Sequence, residues 1–323
     1  MTDKKSDTVF LTRVELKNYK SIAECSVEPG PLTFLVGRNG AGKSNFLDAL
    51  RLVTESLTTS LDHALRDRGG IKEVRRRSSG HPTNFSISLE CRLRDGQAGR
   101  YSFVVGAVEK GGFEVVSEEC QVWREEETTP EGAYRVDRGE ITSHQQKVMP
   151  PASRDRLYLV AAVGLPVFRP VFDSLSRMGF YNLNPDTIRE LQSPDLGEVL
   201  RRDGGNLASV LGYMKAENSD THQRLQEFLC KVVPGIEGVS MKHVGKKETL
   251  EFLQKVGKNE APWRFMAENM SDGTLRAFGV LTALFQGVGD SRRRIPLVGI
   301  EEPESAVHPG AAGGRHPDRG VLG

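Results

Sequence analysis

Apolar and polar residues alternate in the first half of the chain, most clearly in Phe85-Ser86-Ile87-Ser88-Leu89 and Tyr101-Ser102-Phe103-Val104-Val105. A period of two predicts strands with one buried face. Asp95-Gly96 and Gly111-Gly112 separate these runs, so the region from about 85 to 123 reads as antiparallel hairpins. Nearer the start, Val9-Phe10-Leu11 and Val14-Glu15-Leu16 predict a first strand. Asn18-Tyr19-Lys20-Ser21-Ile22 then leads through Glu28-Pro29-Gly30-Pro31 to Thr33-Phe34-Leu35-Val36, which reads as a buried strand. Phe46, Leu47, Leu50, Val53 and Leu57 recur at helical spacing. From Pro185 to Val233 the pattern is again helical, through Ile188, Leu191, Leu196, Val199, Leu207, Leu211, Leu225 and Leu229. Asp203-Gly204-Gly205-Asn206 and Glu217-Asn218-Ser219-Asp220 interrupt it, which excludes a long coiled-coil arm. Glu125 to Gln146 carries few apolar residues and predicts an exposed, mobile loop or a weak hairpin tip.

Between the predicted strand at 33–36 and the helical pattern lies Gly37-Arg38-Asn39-Gly40-Ala41-Gly42-Lys43-Ser44, followed by Asn45. This satisfies G-x-x-x-x-G-K-[ST] in its strand-loop-helix context and predicts a phosphate-binding P-loop. Gly37, Gly40 and Gly42 let the backbone curl so that several N–H groups face one anion, and the following helix adds the positive end of its dipole. A triphosphate fits there. Lys43 would reach the outer phosphates, and the Ser44 hydroxyl would sit on Mg²⁺.

Two further motifs lie near the other end of the chain. In Met270-Ser271-Asp272-Gly273-Thr274, Ser271 is placed to cap a helix carrying Leu275, Phe278, Leu281, Leu284 and Phe285 on one face. A capped N-terminus with Ser271 and Gly273 could contact a second anion, such as the nucleotide of a partner subunit, or could be an ordinary core helix. Ile295-Pro296-Leu297-Val298-Gly299-Ile300 then runs into Glu301-Glu302-Pro303-Glu304. An apolar strand ending in adjacent carboxylates resembles a Walker B strand, with Glu301 in the metal role and Glu302 as the general base for the attacking water.

Composition adds limits. The chain has 323 residues, 37% hydrophobic and 27% charged, as expected for a folded globular protein. Lys+Arg 44 against Asp+Glu 43 leaves no global field for a polyanion, so any DNA contact must be local. Arg66, Arg68, Lys72, Arg75, Arg76 and Arg77 form one basic cluster and Arg292-Arg293-Arg294 another. Flanking acids such as Asp67, Glu73 and Asp290 favour solvated faces over DNA sites. Cys25, Cys91, Cys120 and Cys230 are scattered without a zinc pattern. No signal-peptide or membrane-spanning stretch is evident, so a soluble cytoplasmic protein with no membrane partner is expected.

Gly37–Leu50, Asn269–Arg276 and Gly299–Pro309 together resemble the ABC-type ATPase heads of the RecF/SMC-like group, in particular the ATPases related to RecF and the OLD family. Val14-Glu15-Leu16-Lys17-Asn18-Tyr19-Lys20-Ser21-Ile22 is similar to that group's entry strand. The resemblance implies an α/β P-loop NTPase with an ABC-ATPase-like core and an inserted antiparallel β and helical lobe. The expected boundaries are 1–60 for the first half of the core, 61–265 for the insert, 266–308 for the second half and 309–323 for an irregular tail. It further implies ATP and Mg²⁺ as cofactors and a homodimer in which Ser271 and Gly273 of one subunit cover the γ-phosphate held by Lys43 of the other. Roles in DNA repair or anti-phage defence are implied too, with DNA and a nuclease or effector as possible partners.

Glu301 departs from the usual Asp by one methylene. Pro309 to Gly323 holds five Gly and two Pro where the group has a helix, a strand and a switch histidine, and neither His308 nor His316 matches that histidine. A truncated or frame-shifted version of a longer ATPase is therefore expected. Two rivals stand beside a turning-over ATPase: a nucleotide-gated binding module with little turnover, and a transporter ATPase subunit, which the large insertion disfavours.

Overall fold

The computed structural model describes residues 10–303 apart from 79, 81, 94–95, 109–110, 126–128, 258–260 and 289–294. β1 (Phe10–Tyr19) and β2 (Ile22–Val27) form an antiparallel hairpin whose tight turn holds Asn18 and Lys20 at φ 55° and 46°. β3 (Asn84–Arg92), β4 (Gln97–Ala107), β5 (Phe113–Arg124), β6 (Gly132–Asp137) and β7 (Glu140–His144) extend this hairpin into a seven-stranded antiparallel sheet of order β2-β1-β3-β4-β5-β6-β7. The alternation of apolar residues sets its faces, with Phe85, Ile87, Leu89, Tyr101, Phe103 and Val105 all buried. Gly96, Gly111 and Gly112 take left-handed φ at the hairpin turns the sequence predicts. The same unit, which ends at Met178, holds α1 (Lys43–Thr58), α2 (Leu61–Arg66), α3 (Ile71–Val74), α4 (Leu159–Ala162) and α5 (Arg169–Leu175).

Two expectations in this unit are corrected. Of the two alternatives for the 125–146 segment the hairpin holds, since β6 and β7 pair there, but it is not merely an exposed tip, because Tyr134 and Val136 are buried. The alternation in Gly132–Asp137 is only six residues long, and Tyr134 packs edge-on against Tyr158 and Phe168, far away in sequence. Residues 33–36 are not a buried strand. No strand of the described residues pairs with them, and Phe34 and Val36 are 73% and 92% exposed. A run of apolar residues becomes a strand only where a neighbour accepts its backbone hydrogen bonds.

The second unit begins at Gly179. β8 (Gly179–Tyr181) pairs parallel with β12 (Val298–Ile300), and β9 (Ile236–Val244), β10 (Lys247–Gln254) and β11 (Trp263–Met266) form an antiparallel sheet of order β11-β10-β9. Helices α6 (Pro185–Arg189), α7 (Leu207–Glu217), α8 (Ser219–Val232) and α9 (Asp272–Phe285) share a core with them through Leu211, Leu225, Phe252 and Phe278. Asn206 and Asn218 stand at the starts of α7 and α8, where the sequence breaks predict interruptions. Residues 190–202, which fall in the stretch read as helical, are irregular, and Leu191, Leu196 and Val199 are exposed. Pro194 and Gly197 account for this, since Gly197 sits at φ 65°. The fold is mixed α/β.

Glu118 is a buried carboxylate in the first unit, 1% exposed, on β5. It accepts hydrogen bonds from the hydroxyls of Tyr101 (3.1 Å) and Tyr134 (2.8 Å) and from the backbone N–H groups of Tyr158 and Leu159. Burial pushes its carboxyl up to about 7, against the opposing pull of these donors. The folded chain therefore holds a proton there that the unfolded chain has released. Its contribution is full below the ordinary carboxylate range and is lost as the pH rises through about 7. In Glu118→Gln an amide group faces the N–H of Tyr158, donor against donor, and should cost about 1–3 kcal/mol of stability. Urea unfolding of both proteins should show that cost largest near pH 5 and smaller at pH 8.

Candidate nucleotide site

α1 begins at Lys43 with Gly42 as its N-cap residue at φ 97° and ψ 4°, and Gly40 sits at φ 81°. These left-handed conformations, which glycine adopts without steric cost, turn the chain back over the helix start. In the closed loop Ala41 N–H donates to Arg38 O at 3.1 Å, and the Lys43 ammonium donates to Gly37 O (2.6 Å) and Arg38 O (3.1 Å). Lys43 thus rests on the loop's own carbonyls, which a bound phosphate would have to outcompete. Arg38, Asn39, Ala41 and Ser44 are exposed. Asn45 is committed elsewhere, its amide donating to Ser21 Oγ at 2.7 Å. A Cβ built on Gly42 would lie 3.4 Å from Ser21 and Ile22, so the β1–β2 turn abuts the loop.

One turn along α1, Asp48 ties that turn to the helix, a role the sequence reading missed. Tyr19 Oη donates to Asp48 Oδ2 at 2.8 Å, Lys20 pairs with the same oxygen at 2.5 Å, and Arg51 and Arg68 reach Oδ1 at 2.6 and 3.0 Å. Arg68, only 3% exposed in its side chain, also pairs with Glu55 at 2.5 Å. Burial disfavours the charged form of Asp48, but hydrogen bonds from Lys20 and Arg51 and the charge of Arg68 outweigh it and hold the carboxyl well below its usual range. The available signal was an acid among the apolar positions Phe46, Ala49 and Leu50 of α1. Arg68 is therefore a structural member of the first basic cluster. Arg66 and Arg77 pair with Asp62 and Glu73, Arg75 donates to Pro82 O, and Arg292–Arg294 lie outside the described residues.

The other predicted residues lie in the second unit. Ser271 caps α9 as expected, its hydroxyl accepting from Thr274 N–H at 3.2 Å. Gly273 follows in the first turn. Arg189 of α6 braces this turn, donating to Met270 O at 3.1 Å and pairing with Asp272. Glu301 and Glu302 follow β12 at the carboxyl edge of the parallel pair β8-β12, the edge where open α/β sheets bind ligands. Glu301 N–H donates to Tyr181 O at 2.9 Å, and its carboxylate pairs with Arg202 at 2.8 Å. Glu302 is exposed and held at φ 49°, a conformation rare for a residue with a Cβ. Leu183, Arg276, Val280 and Ile300 line a small cavity beside the two acids. Glu304, His308 and the tail from Pro309 lie outside the described residues.

Comparison with known proteins matches residues 10–105 to the family described as "AAA ATPase domain" and residues 169–312 to "AAA domain, putative AbiEii toxin, Type IV TA system". Both matched segments are thus similar to AAA-type ATPase domains. The DNA replication and repair protein RecF of Gloeobacter violaceus is 35% identical over 94 residues, 28% of this chain. The match spans 24% of that relative's length. Among solved structures, RecF with ATP is 12% identical, covering 96% of this chain and 89% of that one with a TM-score of 0.39. The Smc head domain of Pyrococcus furiosus with the C-terminal domain of ScpA is 10% identical, covering 94% and 84% with a TM-score of 0.49. No described helix is long and apolar enough to cross a membrane.

Removing Asp48 would strip three cations of their shared partner. Asp48→Ala should cost about 3–5 kcal/mol, the usual penalty for breaking a buried pair. Because the folded carboxyl is more acidic than the unfolded one, this contribution is present above the ordinary carboxylate range and lost as the pH falls below it. Chemical denaturation at pH 7 and pH 3 should show a large difference between wild type and variant at the first and a smaller one at the second.

Proposed function

We propose that the chain binds ATP with Mg²⁺ in the 37–45 loop and hydrolyses it, and that the bound nucleotide joins two copies head to head. The observation that carries this reading is the loop itself: left-handed Gly40 and Gly42, α1 starting at Lys43, and a lysine resting on carbonyls that a phosphate can replace. The N–H groups at the start of α1 bind the phosphate oxygens, and Lys43 carries a fixed positive charge to the outer ones. The donors fit magnesium, since the Ser44 hydroxyl and the Glu301 carboxylate are hard oxygen ligands. Mg²⁺ bound there would neutralise charge on the phosphates during phosphoryl transfer. Glu302, exposed after β12, takes the proton of the attacking water.

Ser271 and Gly273 of a second copy cover the terminal phosphate from outside, using the dipole of α9. The relative named for DNA replication and repair supports work on DNA, and the second family description supports defence as the other setting. Nuclease or effector partners belong to the same reading.

Lys43→Ala should weaken ATP binding by about tenfold to a hundredfold, the loss of one charge-assisted hydrogen bond. Glu302→Gln should bind ATP normally, hydrolyse it about 10²–10⁴-fold more slowly and accumulate as an ATP-dependent dimer in sedimentation. Equal, near-zero turnover in wild type and Glu302→Gln, with ATP still bound, would make the chain a nucleotide-gated binding module instead.

A further inference from the structure

Arg202 sits on the carboxylate assigned to the metal, and its place is built. Leu200 N–H donates to Gln286 Oε1 (2.8 Å), Arg201 N–H to Asn206 Oδ1 (2.8 Å), and Arg202 O accepts from Asn182 N–H (2.9 Å). Gln286 is buried and also donates to Tyr181 Oη at 2.6 Å, linking this segment to β8, whose Tyr181 carbonyl accepts from Glu301 N–H. The backbones carrying Arg202 and Glu301 are thus both fixed to the end of β8. From that frame Arg202 Nη2 reaches Glu301 Oε1 at 2.8 Å.

We propose that Arg202 guards the metal carboxylate: its guanidinium holds Glu301, and a divalent cation gains that oxygen only by displacing it. The inference rests on the magnesium role given to Glu301 above. Two cations on one carboxylate repel each other, so the ion and the guanidinium compete for it. Glu301 is largely covered at 17% side-chain exposure, whereas Arg202 is 42% exposed and can turn into water without crossing a packed core. Arg68, enclosed beside Asp48, has no such exit. Arg202 acts through Glu301 and takes no part in bond making. Its effect is to keep the carboxylate paired until a nucleotide brings further oxygen ligands for the cation.

The test is Mn²⁺ binding, read by electron paramagnetic resonance with saturating ATPγS, in wild type, Arg202→Gln, Arg202→Lys, Glu301→Gln and Arg202→Gln/Glu301→Gln. Removing a half-exposed competing pair should tighten Mn²⁺ binding in Arg202→Gln by up to about fivefold. Arg202→Lys should stay near wild type, and Arg202→Gln should have no effect once Glu301 is Gln. Unchanged or weaker Mn²⁺ binding in Arg202→Gln, with ATPγS bound as in wild type and an unchanged melting temperature, would overturn the proposal. A melting temperature lowered in Arg202→Gln but not in Arg202→Lys, with Mn²⁺ affinity unchanged, would overturn it in favour of a structural pair. Failure of wild type to bind ATPγS would remove the nucleotide reading itself, and this inference with it.

Discussion

The buried carboxylate of Asp48 fixes the helix that follows the proposed phosphate loop. It gathers Tyr19 and Lys20 from the β1–β2 turn and Arg51 and Arg68 from the helical segment after the loop. A phosphate-binding loop works by preorganisation: its N–H groups must already point inward, because ordering them on binding would consume the energy of the contacts. Lys20 is held in a left-handed conformation, and Ser21 takes the Asn45 amide. The hairpin turn and the first turn of α1 thus form one piece. Ion pairs between exposed residues contribute little, but a carboxylate 7% exposed with four donors cannot be left unpaired.

The second unit uses the same device with a different outcome. Glu301 is held by its backbone to Tyr181 and by its side chain to Arg202, while Glu302 beside it is unburied and conformationally strained. Adjacent carboxylates in such unlike surroundings suit unlike tasks, as the metal and water roles proposed for them require. Arg189 gives the α9 start a comparable brace. In each case a charged side chain from a neighbouring element sets the direction of a short motif.

Local pattern made much of this legible. Ser86 and Ser88 alternate with buried Phe85 and Ile87, Gly96 and Gly111 turn the hairpins, and Ser271 caps α9, because each depends on residues within a few positions of itself. Where partners are distant, pattern misled. Phe34 and Val36 look like core but have no strand to pair with among the described residues, whereas Tyr134, in a segment that looks like a loop, is buried by Tyr158 and Phe168. Leu191, Leu196 and Val199 have helical spacing, yet Pro194 and Gly197 fall between them. The motifs named the candidate ligands. Asp48, Arg189 and Arg202 could not be found the same way, since Tyr19 and Arg68, Asp272, and Glu301 reach them only through tertiary contacts.

As proposed above, the phosphates of ATP go to the 37–44 loop and the attacking water to Glu302. The most direct measurement is a crystal structure of Glu302→Gln with Mg²⁺ and ATP. The phosphates should lie in the 37–44 loop, with Lys43 Nζ moved from the carbonyls of Gly37 and Arg38 to the outer phosphates and residue 302 within hydrogen-bond reach of a water beside the terminal phosphate. ATP bound away from that loop, or residue 302 remote from the terminal phosphate, would contradict the proposal.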